Sequence, residues 1–318
     1  MSTESPVVVE RYEPKHKVRW DDFVGKSKNG VFLFHRDYLE YHADRFQDCS
    51  FLFYQGGQLI ALMPANLADT TLVSHGGLTF GGIVSDQGMT TLLMLEVFRA
   101  LIRELRARGV AKLIYKAIPH IYHSLPAEED LYALFLHNAK LIRRDASSTI
   151  IQGGNLALTK SCRGAVKRGK AQGLEVLRIH AFDQFMAIEE ANLQSCYGVR
   201  PVHSAQGIKL LANRFPENIK LFATQRDGDL LAGVLIYENR KVAHAQYIGA
   251  TTQGRSLGAV DCIMDVLLHE VYRGKPYFDF GISTVGNGRT LNANLIRNKE
   301  SYGARAMMYD SYELNLET

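Results

Sequence analysis

Asp279 is a carboxylate in unusual surroundings, because it lies within the aromatic run YFDFGIS (277–283). An unpaired carboxylate is costly in an apolar strand, and burial there would raise its pKa and fit it for proton transfer. We therefore take it as a candidate proton acceptor. The structural alternative is a buried aspartate that holds a backbone turn or an ion pair, with Lys116 or Arg305 as the cation.

Two histidines are further candidates for moving a proton. His203 follows a proline and a valine in RPVHS (200–204), which indicates a loop rather than an apolar face. His244 falls in a β-like run, where simple alternation puts it on one face with Gln246 and Ile248. Histidine is the side chain that titrates nearest neutral pH. Either residue could instead be a satisfied structural histidine.

A polar, glycine-containing stretch, TTQGRSLGAV (251–260), separates that β-like run from an amphipathic helical pattern. Gly254 and Gly258 would let the backbone curl, while Gln253 and Arg255 add hydrogen-bond donors. Amides at the start of a helix form a site for an anion such as a pyrophosphate. The spacing matches neither the Walker loop nor GxGxxG. The alternative is a connection that only turns the chain.

A second polar group occurs in the first half of the chain. Lys116, His120, Tyr122 and His123 follow one another at the end of a predicted strand, next to prolines. His75 precedes another strand and could face the same place. This density of polar side chains favours contact with a substrate over a purely structural edge.

Composition limits the class of partner. The chain has 318 residues, of which 46% are hydrophobic and 22% are charged, with a formal net charge of +4. This is typical of a globular protein with room for two domains, and the small charge does not indicate nucleic-acid binding. No apolar run reaches the length of about 18 residues needed to span a membrane. We expect small-molecule partners, no nucleic acid and no membrane, and no feature predicts an oligomer.

Cysteine usage and the N-terminus predict a cytoplasmic location. The four cysteines occur singly, without CxxC or Cys–His spacing: Cys49, Cys162, Cys196 and Cys262. That pattern favours a reducing compartment and no bound metal. The first residues, MSTESPVVVERYEP, lack the charged and apolar regions of a signal peptide.

The sequence contains an internal repeat. ADRFQDCSFLFYQGGQLIALMPAN (43–66) aligns with ANRFPENIKLFATQRDGDLLAGVLIYEN (212–239). Each stretch has a β-rich run, a turn (QGG or RDG) and a second β-rich run, which predicts a hairpin. Further on, residues 78–119 and 246–283 share one order: strand, glycines, helix, Arg-Gly stop and strand.

These matches predict two copies of one module, at residues 1–155 and 156–318. Antiparallel hairpins followed by a strand–helix–strand crossover give a mixed sheet. The predicted fold class is therefore α/β (mixed α+β), with two tandem modules, each a mixed, mostly antiparallel sheet with flanking helices. Helices do not alternate with every strand, so the fold is not doubly wound.

Three stretches carry a resemblance to the GNAT acyltransferases. Arg255-Ser-Leu-Gly258, between a strand and a helix, resembles their pyrophosphate loop, although Val260 stands where the family has Gly or Ala. YFDFGIS (277–283) resembles the strand that splays from its neighbour to admit pantetheine. NKESYGARAMMYDSYEL (298–314) resembles the closing helix and strand of the FemABX-like branch, which also joins two GNAT modules.

The resemblance implies direct transfer of an acyl group from acyl-coenzyme A to an amine. The second module would bind acyl-coenzyme A, because its counterpart in the first carries Asp86 and no cation; the first module would face the acceptor. A backbone amide at Ile248 or Gly249 would stabilise the oxyanion, with Asp279 or His203 as base. The residues that would contact the coenzyme are Ile248, Gln253, Gly254, Arg255, Ser256, Leu257 and Gly258.

Within that branch, residues 115–135, 200–204 and 277–283 resemble bacterial N-acyltransferases of dTDP-3-amino-3,6-dideoxyhexoses. The resemblance implies an acetyl or 3-hydroxybutanoyl donor and a nucleotide-sugar acceptor made for surface polysaccharide. Contacts to its phosphates or hydroxyls would come from Lys116, His120, Tyr122, His123 and His75. Two alternatives stay open: a FemX-type transferase that takes an amino acid from tRNA for peptidoglycan, and a binding scaffold without catalysis.

Overall fold

A computed structural model describes residues 5–154 and 157–317 of the protein, apart from the side chains of residues 196 and 197. The chain forms two compact units. The first extends to Asp145 and includes Gly286–Arg289 and the segment from Met308 onward; the second comprises Ala146–Val285 and Thr290–Met307. The predicted module boundary between residues 155 and 156 lies outside the described residues.

The first unit contains the elements that precede residue 140. Its helices are α1 (Lys17–Lys26), α2 (Arg36–Leu39), α3 (Thr91–Ala107) and α4 (Glu129–Leu136). Its strands are β1 (Val7–Arg11), β2 (Gln47–Asp48), β3 (Phe51–Gln55), β4 (Gln58–Met63), β5 (Asn66–Ala68), β6 (Thr71–Val73), β7 (Val84–Ser85) and β8 (Lys112–Lys116). Two strands, β9 (Lys140–Ile151) and β17 (Arg305–Asn315), cross the boundary between the units.

The first unit divides its strands between two sets. One is an antiparallel sheet in the order β1-β3-β4-β7, whose β3–β4 hairpin turns at Gly56 and Gly57, both with positive φ, as predicted. The other has the order β17-β8-β6-β5-β2, in which β6 and β8 are parallel. Helix α3 is capped by Thr90 and buries an apolar side that includes Val97 and Leu101.

The second unit follows the predicted module order. Its helices are α5 (Lys160–Ala171), α6 (Phe182–Tyr197), α7 (Ala205–Arg214), α8 (Thr252–Leu257), α9 (Ala259–Val266) and α10 (Ala293–Ser301). Its strands are β10 (Glu175–Ile179), β11 (Ile219–Arg226), β12 (Asp229–Glu238), β13 (Val242–Ala250), β14 (Tyr277–Ile282), β15 (Thr284–Val285) and β16 (Thr290–Leu291).

The strand order of this unit is β10-β11-β12-β13-β14-β9. All neighbours are antiparallel except β13 and β14, which are parallel on either side of the α8–α9 crossover. Apolar residues of β12, β13 and β14 pack against α5 and α9 in one buried core. The predicted class, a mixed and mostly antiparallel sheet with flanking helices, is confirmed.

The segment predicted as a glycine loop is mostly helical. Thr251 caps α8, because its hydroxyl accepts the amide of Gly254, so the helix begins directly after β13. Gly258, with φ +77°, then separates α8 from α9. Beyond α9, a π-helical turn at Leu267–Val271 completes the predicted amphipathic segment. Among the described helices, none has the length and apolar composition of a membrane span.

Candidate active site

The parallel strands β13 and β14 stay paired over only three positions. The last pair is His244 and Asp279, after which β13 runs on to Ala250 without a partner in β14. Gly281 follows with φ +73°, and a Cβ at this position would lie 3.2 Å from Cε1 of His244. Two strands that part in this way expose backbone groups at their facing edges. The site is built at this divergence.

Asp279 is completely buried and accepts hydrogen bonds on both oxygens. Oδ2 is 2.7 Å from Nδ1 of His244 and accepts the amide of Gly281 at 3.2 Å. Oδ1 accepts the hydroxyls of Ser147 and Thr149, at 2.8 and 2.7 Å. The two hydroxyls come from β9, so three strand segments meet at one carboxylate.

The expected rise in the pKa of Asp279 is wrong. Burial alone would raise its pKa, but the hydrogen bonds from His244, Thr149 and Ser147 hold it below the usual value. An ionised Oδ2 can only accept, so this hydrogen bond requires a proton on Nδ1 of His244, and in a neutral imidazole Nε2 is then the nitrogen that can accept a proton. The carboxylate is thus paired with His244, a partner that the sequence did not suggest, whereas the ammonium of Lys116 donates to the carbonyls of His75 and Leu78.

Lys299 supports the end of β14 from helix α10. Its ammonium donates to the carbonyls of Gly281 and Ile282, both at 2.8 Å, and its side chain is buried. Burial lowers the pKa of Lys299 to about 8. These bonds fix the backbone that immediately follows Asp279.

A β-bulge at Gln246 changes which side chains share a face of β13. Pairing with β12 shifts there by one residue, so alternation restarts after the bulge. Ile248 packs against the apolar core, whereas Tyr247 contacts His203 and Gly249 faces α6. The predicted common face of His244, Gln246 and Ile248 is therefore wrong.

His203 lies just before α7 and is buried. Its Nδ1 is 2.9 Å from the hydroxyl of Tyr247, and its backbone follows the predicted loop. The structure thus joins His203 to the strand that also carries His244, Ile248 and Gly249. The sequence contained no signal for Tyr247, because one tyrosine in a β-like run is ordinary.

Glu189, on α6, is a residue that the sequence analysis missed. It is 7% exposed, its Oε2 has no hydrogen-bond partner among the described residues, and burial raises its pKa to about 7. That oxygen lies 2.9 Å from the place of a Cβ on Gly249. Gly233 faces Gly249 on β12, and Phe185 packs over this glycine pair. The pair of glycines was the available signal for a group approaching the sheet.

The glycines of the predicted coenzyme stretch have packing roles. A Cβ on Gly254 would lie 2.2 Å from the carbonyl oxygen of Leu231, and one on Gly258 would lie 2.7 Å from that of Ala165. Both positions therefore require glycine for close backbone approach. This finding explains the glycines without a ligand, and their role in coenzyme binding stays a prediction.

The polar residues of that stretch lie on the surface. Arg255 donates to Oδ1 of Asn192 at 3.1 Å, and the hydroxyl of Ser256 donates to the carbonyl of Gln253 at 2.8 Å. Leu257 is half-buried at the end of α8. An exposed guanidinium can exchange its amide partner for an anion at small cost.

In the first unit, most of the predicted substrate residues make hydrogen bonds to other groups of the protein. The ammonium of Lys116 donates to the carbonyls of Leu78 and His75, at 3.0 Å for the latter. Burial lowers the pKa of Lys116 to about 8. Lys116 therefore stabilises the backbone of the segment from His75 to Leu78.

The neighbouring residues differ in exposure. Tyr122 is buried, with its hydroxyl 3.4 Å from that of Tyr309. Nε2 of His123 is 3.1 Å from the carbonyl of Ile118, and burial lowers the pKa of this histidine to about 4. His120 is exposed. Contact of this group with a substrate stays a prediction.

His75 makes the first unit sensitive to acid. It is 3% exposed with φ +59°, and burial, helped by nearby His42, lowers its pKa to about 3. In the unfolded chain His75 binds a proton near pH 6.5, whereas in the folded chain it stays neutral at that pH. The free energy of unfolding therefore falls as the pH drops below about 6.5. Between pH 6.5 and 4.5 this residue should cost about 2 kcal/mol.

Substitution of His75 by Asn, which tolerates a positive φ, should remove that share of the pH dependence. Urea unfolding at pH 6.5 and 4.5 measures it, with His120→Asn as the exposed control. An unchanged pH dependence in His75→Asn would contradict the assignment.

Comparison with known proteins identifies the matched domain and the fold. Residues 158–288 match a family model described as "Acetyltransferase (GNAT) domain". A comparison with curated protein sequences gives no match. Among solved structures, FemX is similar at 10% identity, with 96% of this chain and 97% of that chain covered and a TM-score of 0.68.

Two further solved structures share the architecture. The C-terminal domain of a putative lysylphosphatidylglycerol synthetase from Agrobacterium fabrum has 10% identity, 95% and 93% coverage and a TM-score of 0.61. A tandem GNAT protein from the clavulanic acid biosynthesis pathway has 11% identity, 98% and 99% coverage and a TM-score of 0.53. At these identities the likeness concerns the fold. Residues 158–288 thus match the GNAT acetyltransferase domain, within a chain whose fold is similar to that of a tandem GNAT protein.

Proposed function

We propose that the second unit transfers an acyl group from a coenzyme A thioester to an amine. The observation that carries this proposal is the His244–Asp279 pair, joined at 2.7 Å where β13 and β14 part. A thioester inserted between the diverging strands would lie beside a histidine whose Nε2 accepts a proton. The GNAT match covers these same elements.

The reaction needs one base, one oxyanion donor and a departing thiolate. Asp279 holds the proton of His244 on Nδ1, and Nε2 takes a proton from the acceptor nitrogen, directly or through one water. The nitrogen attacks the thioester carbon, forming the C–N bond. A backbone amide at Ile248 or Gly249 receives the negative oxygen. The carbonyl reforms as the C–S bond breaks, which gives the amide and the thiolate of coenzyme A.

The first unit lacks this pair at the corresponding place in its parallel strands. The last parallel pair of β6 and β8 is Val73 and Ile114, which are both apolar and cannot move a proton. This difference supports chemistry in the second unit, and the acceptor-facing role of the first stays a prediction.

For the acceptor, we propose the amino group of a dTDP-linked 3-amino-3,6-dideoxyhexose, and for the donor acetyl- or 3-hydroxybutanoyl-coenzyme A. The support is the resemblance carried by residues 115–135, 200–204 and 277–283. The product would be an N-acylated nucleotide sugar for surface polysaccharide.

Calorimetric titration with coenzyme A tests the donor. Arg255→Ala should weaken binding about tenfold, because an exposed guanidinium on α8 is lost; tenfold corresponds to about 1.4 kcal/mol. Arg226→Ala, at the end of β11 in the same unit, is the matched control and should bind as the wild type. Absence of binding at millimolar coenzyme A would overturn the thioester mechanism.

Thiol release from acetyl-coenzyme A tests the acceptor. Release that depends on dTDP-3-amino-3,6-dideoxyhexose supports the proposed sugar, and release with another amine keeps the reaction class but changes the acceptor. Transfer from aminoacyl-tRNA without thiol release would instead favour the FemX-type alternative.

A further inference from the structure

The second unit buries two carboxylates in opposite environments. Asp279 accepts hydrogen bonds from His244, Gly281, Ser147 and Thr149, and its pKa is lowered. Glu189 has a buried Oε2 without a partner among the described residues, and burial is the single influence that raises its pKa. One site is built to hold a carboxylate ionised and the other to hold a carboxylic acid. Such a pair of opposed environments marks a base side and an acid side.

The position of Glu189 relates it to the predicted thioester site. Its Oε2 approaches Gly249 from α6, on the strand whose amide, at Ile248 or Gly249, is the proposed oxyanion donor. A side chain at residue 249 would collide with this oxygen, at 2.9 Å from its Cβ. Glycine here therefore leaves the carboxyl group in contact with the strand itself. His244 lies five residues before Gly249 on β13, so the imidazole and the carboxyl group of Glu189 lie at different positions along the strand.

An unpaired buried carboxylate is costly when ionised. A purely structural glutamate would gain from a hydrogen-bonded or cationic partner, as Glu238 does from Lys220 and Lys275 in the same unit. Oε2 of Glu189 gains no such partner from the described residues, and burial raises the pKa of this carboxyl to about 7, so that it can carry a proton and give it up near neutral pH. Lys299, on helix α10, is not available for this step, because its ammonium donates to the carbonyls of Gly281 and Ile282.

We propose that Glu189 is the acid that protonates the sulfur of the departing coenzyme A. This inference rests on the proposed acyl transfer. As the C–S bond breaks, the proton on the Glu189 carboxyl passes to sulfur and yields the free thiol. The proton lost by the acceptor nitrogen goes to Nε2 of His244, and solvent afterwards reprotonates Glu189. His244 thus takes the proton from the attacking nitrogen, and Glu189 gives a proton to the departing sulfur.

The test compares acetyl-coenzyme A with its selenium analogue, acetyl-selenocoenzyme A, in wild type and Glu189→Gln. A selenolate leaves without a proton, so an acid is needed for the sulfur compound alone. We expect Glu189→Gln to lower kcat about 10²-fold with the thioester and less than about threefold with the selenoester, with KM nearly unchanged. Glu190→Gln, next to it on α6 and exposed, is the control for changes in the helix.

The outcomes separate this inference from the proposed function. Equal losses with both esters, or no loss with the thioester, would overturn the acid role of Glu189 while acyl transfer stands. Absence of wild-type turnover with either ester, together with absence of coenzyme A binding, would overturn both. Difference infrared spectroscopy of wild type against Glu189→Gln adds a readout independent of turnover: a protonated carboxyl band should be lost at pH 6. Its absence in the wild type would also contradict the proposal.

Discussion

Replacement of His244 by Gln is expected to lower kcat for acyl transfer by about 10²- to 10⁴-fold, which is the usual rate contribution of a positioned general acid or base. Glutamine keeps a polar side chain of similar reach but cannot take a proton from the acceptor amine. Coenzyme A binding should change little, because the coenzyme contacts are predicted elsewhere. Steady-state thiol release measures the loss, and His180→Gln, an exposed histidine of the same unit, is the control.

Asp279→Asn tests the same prediction through the residue that holds His244. An asparagine cannot impose the Nδ1–H tautomer, so the single variant should lose a comparable factor, and the double variant should be little worse than His244→Gln alone. Such non-additivity is expected because Asp279 acts through His244. Additive losses would mean that the carboxylate has a separate role, and unchanged turnover in His244→Gln would remove this histidine from the reaction.

Gly254→Ala is expected to lower the free energy of unfolding by about 3 kcal/mol, a severe overpacking effect. Its Cβ would lie 2.2 Å from the carbonyl oxygen and 2.8 Å from the carbonyl carbon of Leu231, both backbone atoms that cannot rotate away. Urea unfolding measures the change. Gly274→Ala is the matched control, because a Cβ there meets nothing within 4 Å.

This variant also separates two explanations of the glycine. If packing against β12 is the reason, stability falls whether or not coenzyme A is present. If close approach of a pyrophosphate is the reason, the variant should unfold like the wild type and lose affinity for coenzyme A. The second result would contradict the packing assignment and restore the loop interpretation.

The architecture was largely predictable from the sequence by itself. Both hairpins follow from turn residues, with Gly56 and Gly57 in one unit and Asp227 and Gly228 in the other, all with positive φ. Helix α3 ends before Gly109, where the sequence predicts an Arg-Gly stop. Turn chemistry and helical periodicity act over a few neighbouring residues, so the sequence alone determines them. The tandem arrangement followed because these local signals recur in the same order.

The site depended on tertiary structure. Asp279 was recognisable as unusual, but the pairing that lowers its pKa comes from a parallel register with His244 and from hydroxyls 132 and 130 residues away in the chain. The bulge at Gln246 reversed the faces predicted by alternation. Glu189 resembled any glutamate of a surface helix, until α6 packed on a pair of glycines. Register, bulges and burial arise from contacts between distant segments, and a pKa depends on those contacts.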